Sequence, residues 1–303
     1  MVDQLLGREH TALLAAGYKT GKTTLLLNLL QSLTDEQLFL NRFETHLEAG
    51  RVIWFNYELT EEQAQRWAQD MGISQASRAA YVGLRGLPNP LASDAGREWI
   101  VNFLKQNETA IWFIDTFRAS FFGESINDLA DVARYTSLID EIKHEAGVSE
   151  SIVTHHFGRK EHERGQEHGL GSVELDAWTD MRWLLTRAKD DRFFAVEGRS
   201  AGLQESALMY DDHTRRLAIE LGIGREQKKA ESQAENKQKN IEELEKAILK
   251  AIKKEPGISS SGIQEVVEGR KATILALVKD LKMAGKIKVE TGGSGLPNAH
   301  FIP

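Results

Sequence analysis

The clearest chemistry in the chain lies in Ala16-Gly17-Tyr18-Lys19-Thr20-Gly21-Lys22-Thr23-Thr24. Glycine at Gly21 lets backbone N–H groups curl around phosphate oxygens, and the following helix N-terminus adds a favourable dipole. Lys22 reaches the β- and γ-phosphates, and Thr23 offers its hydroxyl to magnesium. The segment departs from the usual phosphate-loop pattern once: Ala16 stands where the first glycine sits, a place an alanine can occupy at negative φ. An ordinary glycine-rich strand-to-helix turn has no need of the Gly-Lys-Thr triplet. These nine residues are therefore read as a site for ATP with Mg2+.

Two acids fit the same chemistry. Asp115 closes AIWFIDT, where Ile111 to Ile114 form an apolar run that buries a strand and delivers the carboxylate to its end. There, beside Thr23, it would hold the water shell of magnesium. A strand ending in aspartate is common; its distance from the loop, with βαβ units between, favours the metal role. Glu58 closes RVIWFNYE and becomes the general base for water if that strand lies next to the Asp115 strand. Its alternative is a first-turn acid for the helix that LTEE begins.

Elements of regular alternation must carry these residues. An apolar run at 11–17 and strands at 51–58, 81–87 (YVGLRGL), 110–116 and 151–156 alternate with helical periodicity, which predicts an α/β fold with a doubly wound, mainly parallel sheet. After Gly171, MRWLLTRA, RFFAVEGR, SALMYDD and RRLAIEL follow across short polar turns and predict antiparallel strands extending one edge. The stretch 222–240 is poor in large apolar side chains and reads as a solvated linker or exposed helix. Three helical segments and two short strands follow, a winged-helix layout. The predicted organisation is an ATPase domain over 1–221, a linker over 222–240 and a small domain over 241–303.

Composition sets outer limits. The chain of 303 residues has no cysteine, which excludes thiolate metal sites, disulfides and cysteine nucleophiles and fits a reducing compartment. MVDQLLGREHTALLAAG reads as a strand rather than a leader, and no apolar run is long enough to cross a bilayer; the reading is a soluble cytoplasmic protein without membrane contact. The formal charge is −7, yet residues 237–303 carry 12 Lys/Arg against 8 Asp/Glu, so a net +4 tail follows a body of −11.

AGYKTGKTT, the acid of NYE, the strand WFIDTFR, the paired histidines of SIVTHH and the later GLGSVELDAWTDMRW together resemble the RecA-type ATPases of the RepA hexameric-helicase family (AAA_25-like) of plasmids, phages and integrated elements. The resemblance spans roughly residues 8–220. It implies a RecA-like fold, a hexameric ring and a γ-phosphate sensor at His155 or His156, here assigned to His156. It also implies a finger acting in trans, for which Arg199 is the candidate, although Glu197 replaces the lysine of the usual pair. Arg182 and Arg187 compete for that role, and a surface salt bridge is the alternative for Arg199. In such rings the loop 157–172 faces a channel, so Arg159, Lys160 and Arg164 would grip single-stranded DNA, diluted by Glu161, Glu163 and Glu167. Arg118, beside Phe121 and Phe122, could add base stacking, unless those rings belong to the core or a subunit interface. Arg270 and Lys271, followed by Lys279 and Lys282, place cations on the third helix of the tail domain for DNA or for a protein partner. Two functions stay open: a ring-forming DNA helicase or translocase of a mobile element, and a DNA-tethered ATP switch acting as loader, regulator or recombination mediator. A small-metabolite kinase and an AAA+ protein with a helical lid fit less well.

Overall fold

The computed structural model describes residues 1–47, 49–156, 173–199, 202–292 and 297–303. They form two compact units, Met1–Arg225 and Glu226–Pro303.

In the first unit, β1 (Thr11–Ala16) leads into α1 (Lys22–Asp35), then β2 (Arg51–Asn56), α2 (Glu61–Met71) and β3 (Ala79–Gly83). Next come α3 (Asp94–Gln106), β4 (Thr109–Asp115), the short α4 (Phe117–Ser120), α5 (Leu129–Ala146) and β5 (Glu150–His156). α6 (Val173–Trp178) precedes β6 (Met181–Ala188), β7 (Asp191–Gly198), β8 (Leu203–Tyr210) and β9 (Leu217–Glu220). One nine-stranded sheet results, in the order β3-β2-β4-β5-β1-β6-β7-β8-β9.

The inner parallel strands are largely buried because both faces of the sheet are covered. On one face Leu25, Leu29 and Leu33 of α1 pack with Trp54, Phe113, Trp183 and Phe194. On the other, Ile100 and Leu104 of α3 and Tyr135 and Ile139 of α5 meet Ile53, Trp112 and Phe117. The four strands after Gly171 differ from expectation in one respect. β6 lies parallel to β1, with Ala12 opposite Met181 and Ala16 opposite Leu185, and only β7 to β9 run antiparallel. The chain re-enters the sheet at the amino end of β1, where the Asp180 carboxylate accepts from the Thr11 N–H at 2.9 Å, so β6 must run alongside β1.

Local chemistry fixes the helices nearest the predicted site. Thr60 and Gln63 form a reciprocal capping box that starts α2, worth roughly 1 kcal/mol. Gly72 ends it at φ 68°, a left-handed position suited to glycine. Asn28 ties α1 to the far edge: its Nδ2 donates to the carbonyls of Thr24 and Arg215, and its Oδ1 accepts from the Leu217 N–H.

The helix α7 (Arg225–Lys254) occupies most of 222–240, so the polar stretch is helical from Arg225 onward. In the second unit it is followed by β10 (Ile258–Ser259), α8 (Ser260–Val266), α9 (Lys271–Met283), β11 (Lys288–Glu290) and β12 (Ala299–Phe301). Ile248, Ile252, Ile263, Ile274, Leu281 and Ile287 form its core. Its antiparallel sheet runs β10-β12-β11, and β10 is a strand the sequence reading did not anticipate: two residues are too few to show a period. Among the described residues no helix is long and apolar enough to cross a membrane.

Candidate active site at the carboxyl end of the parallel strands

β1 is buried along its whole length and releases the chain at Gly17. A β-carbon on Gly17 would meet Thr20 Oγ1 at 2.9 Å, and Gly21 stands at φ 111°, so neither position suits a larger residue. α1 then begins at Lys22 with no side-chain cap and no acid in its first turn. Its amino-terminal N–H groups remain available to an anion, and its dipole favours one there. Thr23 follows one residue later, and its hydroxyl has no hydrogen-bond partner among the described residues. Lys22 is buried, with Nζ 3.1 and 3.2 Å from the two ring nitrogens of His156. Burial holds its pKa below the usual lysine range, opposed by the charges of Asp115 and Glu58. Tyr18 is largely exposed at the turn of the loop, with Lys19 over its ring.

β4 lies between β2 and β5, and Asn56 pairs with Asp115 at the carboxyl end. Asp115 is fully buried; its Oδ2 accepts from Asn56 Nδ2 at 2.8 Å and its Oδ1 from Thr154 Oγ1 at 2.5 Å. Removal from water pushes its pKa up to about 6, although the Thr154 hydrogen bond and the Lys22 charge pull the other way. Both carboxylate oxygens are already engaged, which suits a group that orients a metal's water shell. Asn56 also accepts from the N–H groups of Glu58 and Leu59 at 2.9 and 2.6 Å, turning the chain so that Glu58 leaves the strand at this site. Glu58 Oε1 lies 3.5 Å from His156 Nε2. The hydrogen bond from His156, with the Lys22 charge, holds the Glu58 carboxyl below its usual range against partial burial.

The strand period separates the paired histidines. His156, opposite Ala16, faces Lys22 and Glu58, whereas His155 is buried edge-on against Phe117 at 4.9 Å. Sequence reasoning passed over Asn56 and Thr154. Nothing local marks either one; the only signal for Asn56 is its place as the last inward residue before Tyr57-Glu58.

The remaining candidates sit elsewhere. Arg199 follows β7 and is exposed, with its N–H on the Asp180 carbonyl and its Nη2 on the Ala177 carbonyl. Asp180 borders Thr11, so Arg199 lies at the amino end of β1, a strand length of roughly 17 Å from its own phosphate loop. Arg182 is held between Asp176 at 3.4 Å and Glu197 at 3.2 Å, which explains why Glu197 occupies its position opposite that arginine. Arg187 donates to the Lys189 carbonyl and pairs with Asp190. Arg118 is exposed, but Phe121 and Phe122 pack against the core with Phe117 and Tyr135, as the core alternative expected. Arg159, Lys160 and Arg164 lie outside the described residues. In the second unit Arg270 precedes α9 and Lys271 begins it, both exposed.

Residues 1–162 match the family described as AAA domain (AAA_25), a span that contains the loop, Glu58, Asp115 and His156. No curated protein matches the chain significantly.

The buried carboxyl makes a prediction about stability. Because folding raises the Asp115 pKa from 3.8 to about 6, its contribution is full below pH 4 and is lost as pH rises through 6. Relative to Asp115→Asn, the metal-free wild type should lose about 1.5 kcal/mol of stability between pH 5 and pH 8 in urea unfolding. A difference that does not change with pH would show that folding does not raise the Asp115 pKa.

Proposed function

The chain belongs to the AAA domain family, a P-loop nucleoside-triphosphatase family, and from that premise we propose an ATP-driven, ring-forming DNA helicase or translocase of the RepA type that serves replication of a mobile element. The observation that carries the reading is the convergence of Lys22, Asp115, Glu58 and His156 at one end of the parallel sheet. A switch that only binds nucleotide needs the first two; repeated turnover needs a carboxylate held beside the phosphate site as well.

Bound ATP with Mg2+ supplies the electrophilic γ-phosphoryl group and the metal that neutralises its charge. The loop N–H groups and Lys22 would bind the phosphates, while Thr23 and Asp115 would hold the metal and its water. Glu58 would take the proton from the attacking water; His156, which contacts both Lys22 and Glu58, would sense whether the terminal phosphate is present. Arg199 stands too far from its own loop to serve it, which supports a finger acting on a neighbouring subunit. A hexamer, single-stranded DNA in its channel and contacts through Arg118, Arg159, Lys160 and Arg164 belong to the same proposal. The helix–strand–helix–helix–strand–strand order of the second unit, with exposed Arg270, Lys271, Lys279 and Lys282, supports a winged helix that touches duplex DNA.

A second reading draws on α9. Its face opposite the core carries Ala272, Leu275, Ala276, Lys279 and Met283, with Leu275 and Met283 exposed. Apart from Lys279 these side chains carry no strong hydrogen-bonding group, which suits a protein partner better than base edges and favours a tethered ATP switch that loads or regulates another motor.

Lys22→Ala should abolish nucleotide binding and DNA-stimulated ATP hydrolysis, and Glu58→Gln should retain binding while turnover falls by about 10²–10⁴. Normal turnover in the glutamine variant removes Glu58 as base. If Arg199 acts in trans, Arg199→Ala should slow hydrolysis by about 10³, and mixing it with Lys22→Ala subunits should restore some activity. No recovery at any mixing ratio rules trans action out.

A further inference from the structure

We propose that Arg192 is a positioning residue for the phosphate loop, a cis arginine that fixes the Thr20–Gly21 peptide so that its N–H is directed at the nucleotide. This rests on reading residues 16–24 as the nucleotide site.

Strand alternation places the side chain. Phe194 and Val196 of β7 are buried in the core beneath α1, so Arg192 projects from the same face. Across the sheet Ala16 aligns with Leu185 and Leu185 with Phe194. Arg192 is therefore two residues past the last core position on β7, level with the loop that follows β1.

Two anchors hold it there. Its Nε donates to the Thr20 carbonyl at 3.0 Å, although 172 residues separate the two in the chain. Its guanidinium lies 4.8 Å from the ring centroid of Tyr210, which packs against the same core from β8. The like charge directly opposite, Arg187, is drawn away to Asp190 and the Lys189 carbonyl. Fixing an arginine by a ring and a carbonyl together costs side-chain entropy that a merely solubilising residue would not bear.

Peptide geometry supplies the consequence. In a trans peptide the carbonyl and the following N–H point in opposite directions, so a Thr20 carbonyl held toward Arg192 turns the Gly21 N–H away from it. That N–H has no partner among the described residues and belongs to the residue that caps α1. At φ 111° the peptide has few steric restraints of its own, and a β-carbon on Gly21 would come within 3.6 Å of Arg192 Nε. The arginine thus provides from outside the orientation that the glycine leaves free.

Calorimetric titration of the full-length protein with ADP and with a non-hydrolysable ATP analogue tests this, alongside steady-state hydrolysis and thermal melting. Arg192→Ala should weaken both nucleotides by about tenfold and raise KM with kcat little changed, because the effect is on a loop both ligands share. Arg192→Lys, which can still donate to the carbonyl, should recover part of the affinity, and Tyr210→Leu should lose about threefold. Unchanged affinity in Arg192→Ala overturns the proposal, as does a loss confined to kcat. Should the alanine variant not fold, unchanged affinity in both the lysine and leucine variants overturns it. Wild-type protein that binds neither nucleotide would instead refute the nucleotide site itself.

Discussion

The Asp115 carboxylate, fully buried at the end of the central strand β4, is the constraint around which the rest is arranged. A carboxyl taken out of water resists ionising, so it needs donors from its neighbours to be a usable anion near neutrality. β2 and β5 flank β4 and each supplies one, Asn56 and Thr154. The same adjacency fixes what comes next on those strands. Asn56 turns the chain so that Glu58 emerges two residues later, and Thr154 is followed at the strand end by His156. The contacts around one desolvated carboxylate therefore bring a base candidate and a sensor candidate within reach of Lys22.

The antiparallel extension contributes in a different way. Because β6 runs parallel to β1 and β7 returns, the two ends of β7 lie at opposite ends of the sheet. Arg192 marks the end beside the phosphate loop and Arg199 follows the end beside Thr11. One strand thus offers one arginine to its own site and one to a surface far from it. Asp176 and Trp178 serve the scaffold between them. Asp176 pairs with Arg182, and the Trp178 indole donates to Asp140 of α5, so part of a segment that resembles a family signature acts through packing.

How much the sequence revealed depended on range. The loop at 16–24 and the strand ending in Asp115 are local patterns, legible because a single turn and a single apolar run define them. Glu58 needed one long-range fact, the adjacency of β2 and β4, which the alternation of elements suggested and the sheet order supplies. Asn56 and Thr154 lie 59 and 39 residues from Asp115, and Arg192 lies 172 from Thr20. No periodicity connects such pairs, and each alone is an ordinary strand residue. The direction of β6 escaped for the same reason: alternation gives a strand's faces and leaves its partner unspecified. The family match ends at residue 162, so β6 to β9 and the second unit rest on physical argument alone.

The most direct test of the account is strand displacement on forked DNA by the wild-type protein with ATP, with the mass of the ATP-bound assembly measured in the same buffer. A RepA-type motor gives ATP-dependent displacement by a ring with the mass of six chains. A monomer that binds ATP and hydrolyses it slowly, with no displacement, would contradict the motor and leave only the switch.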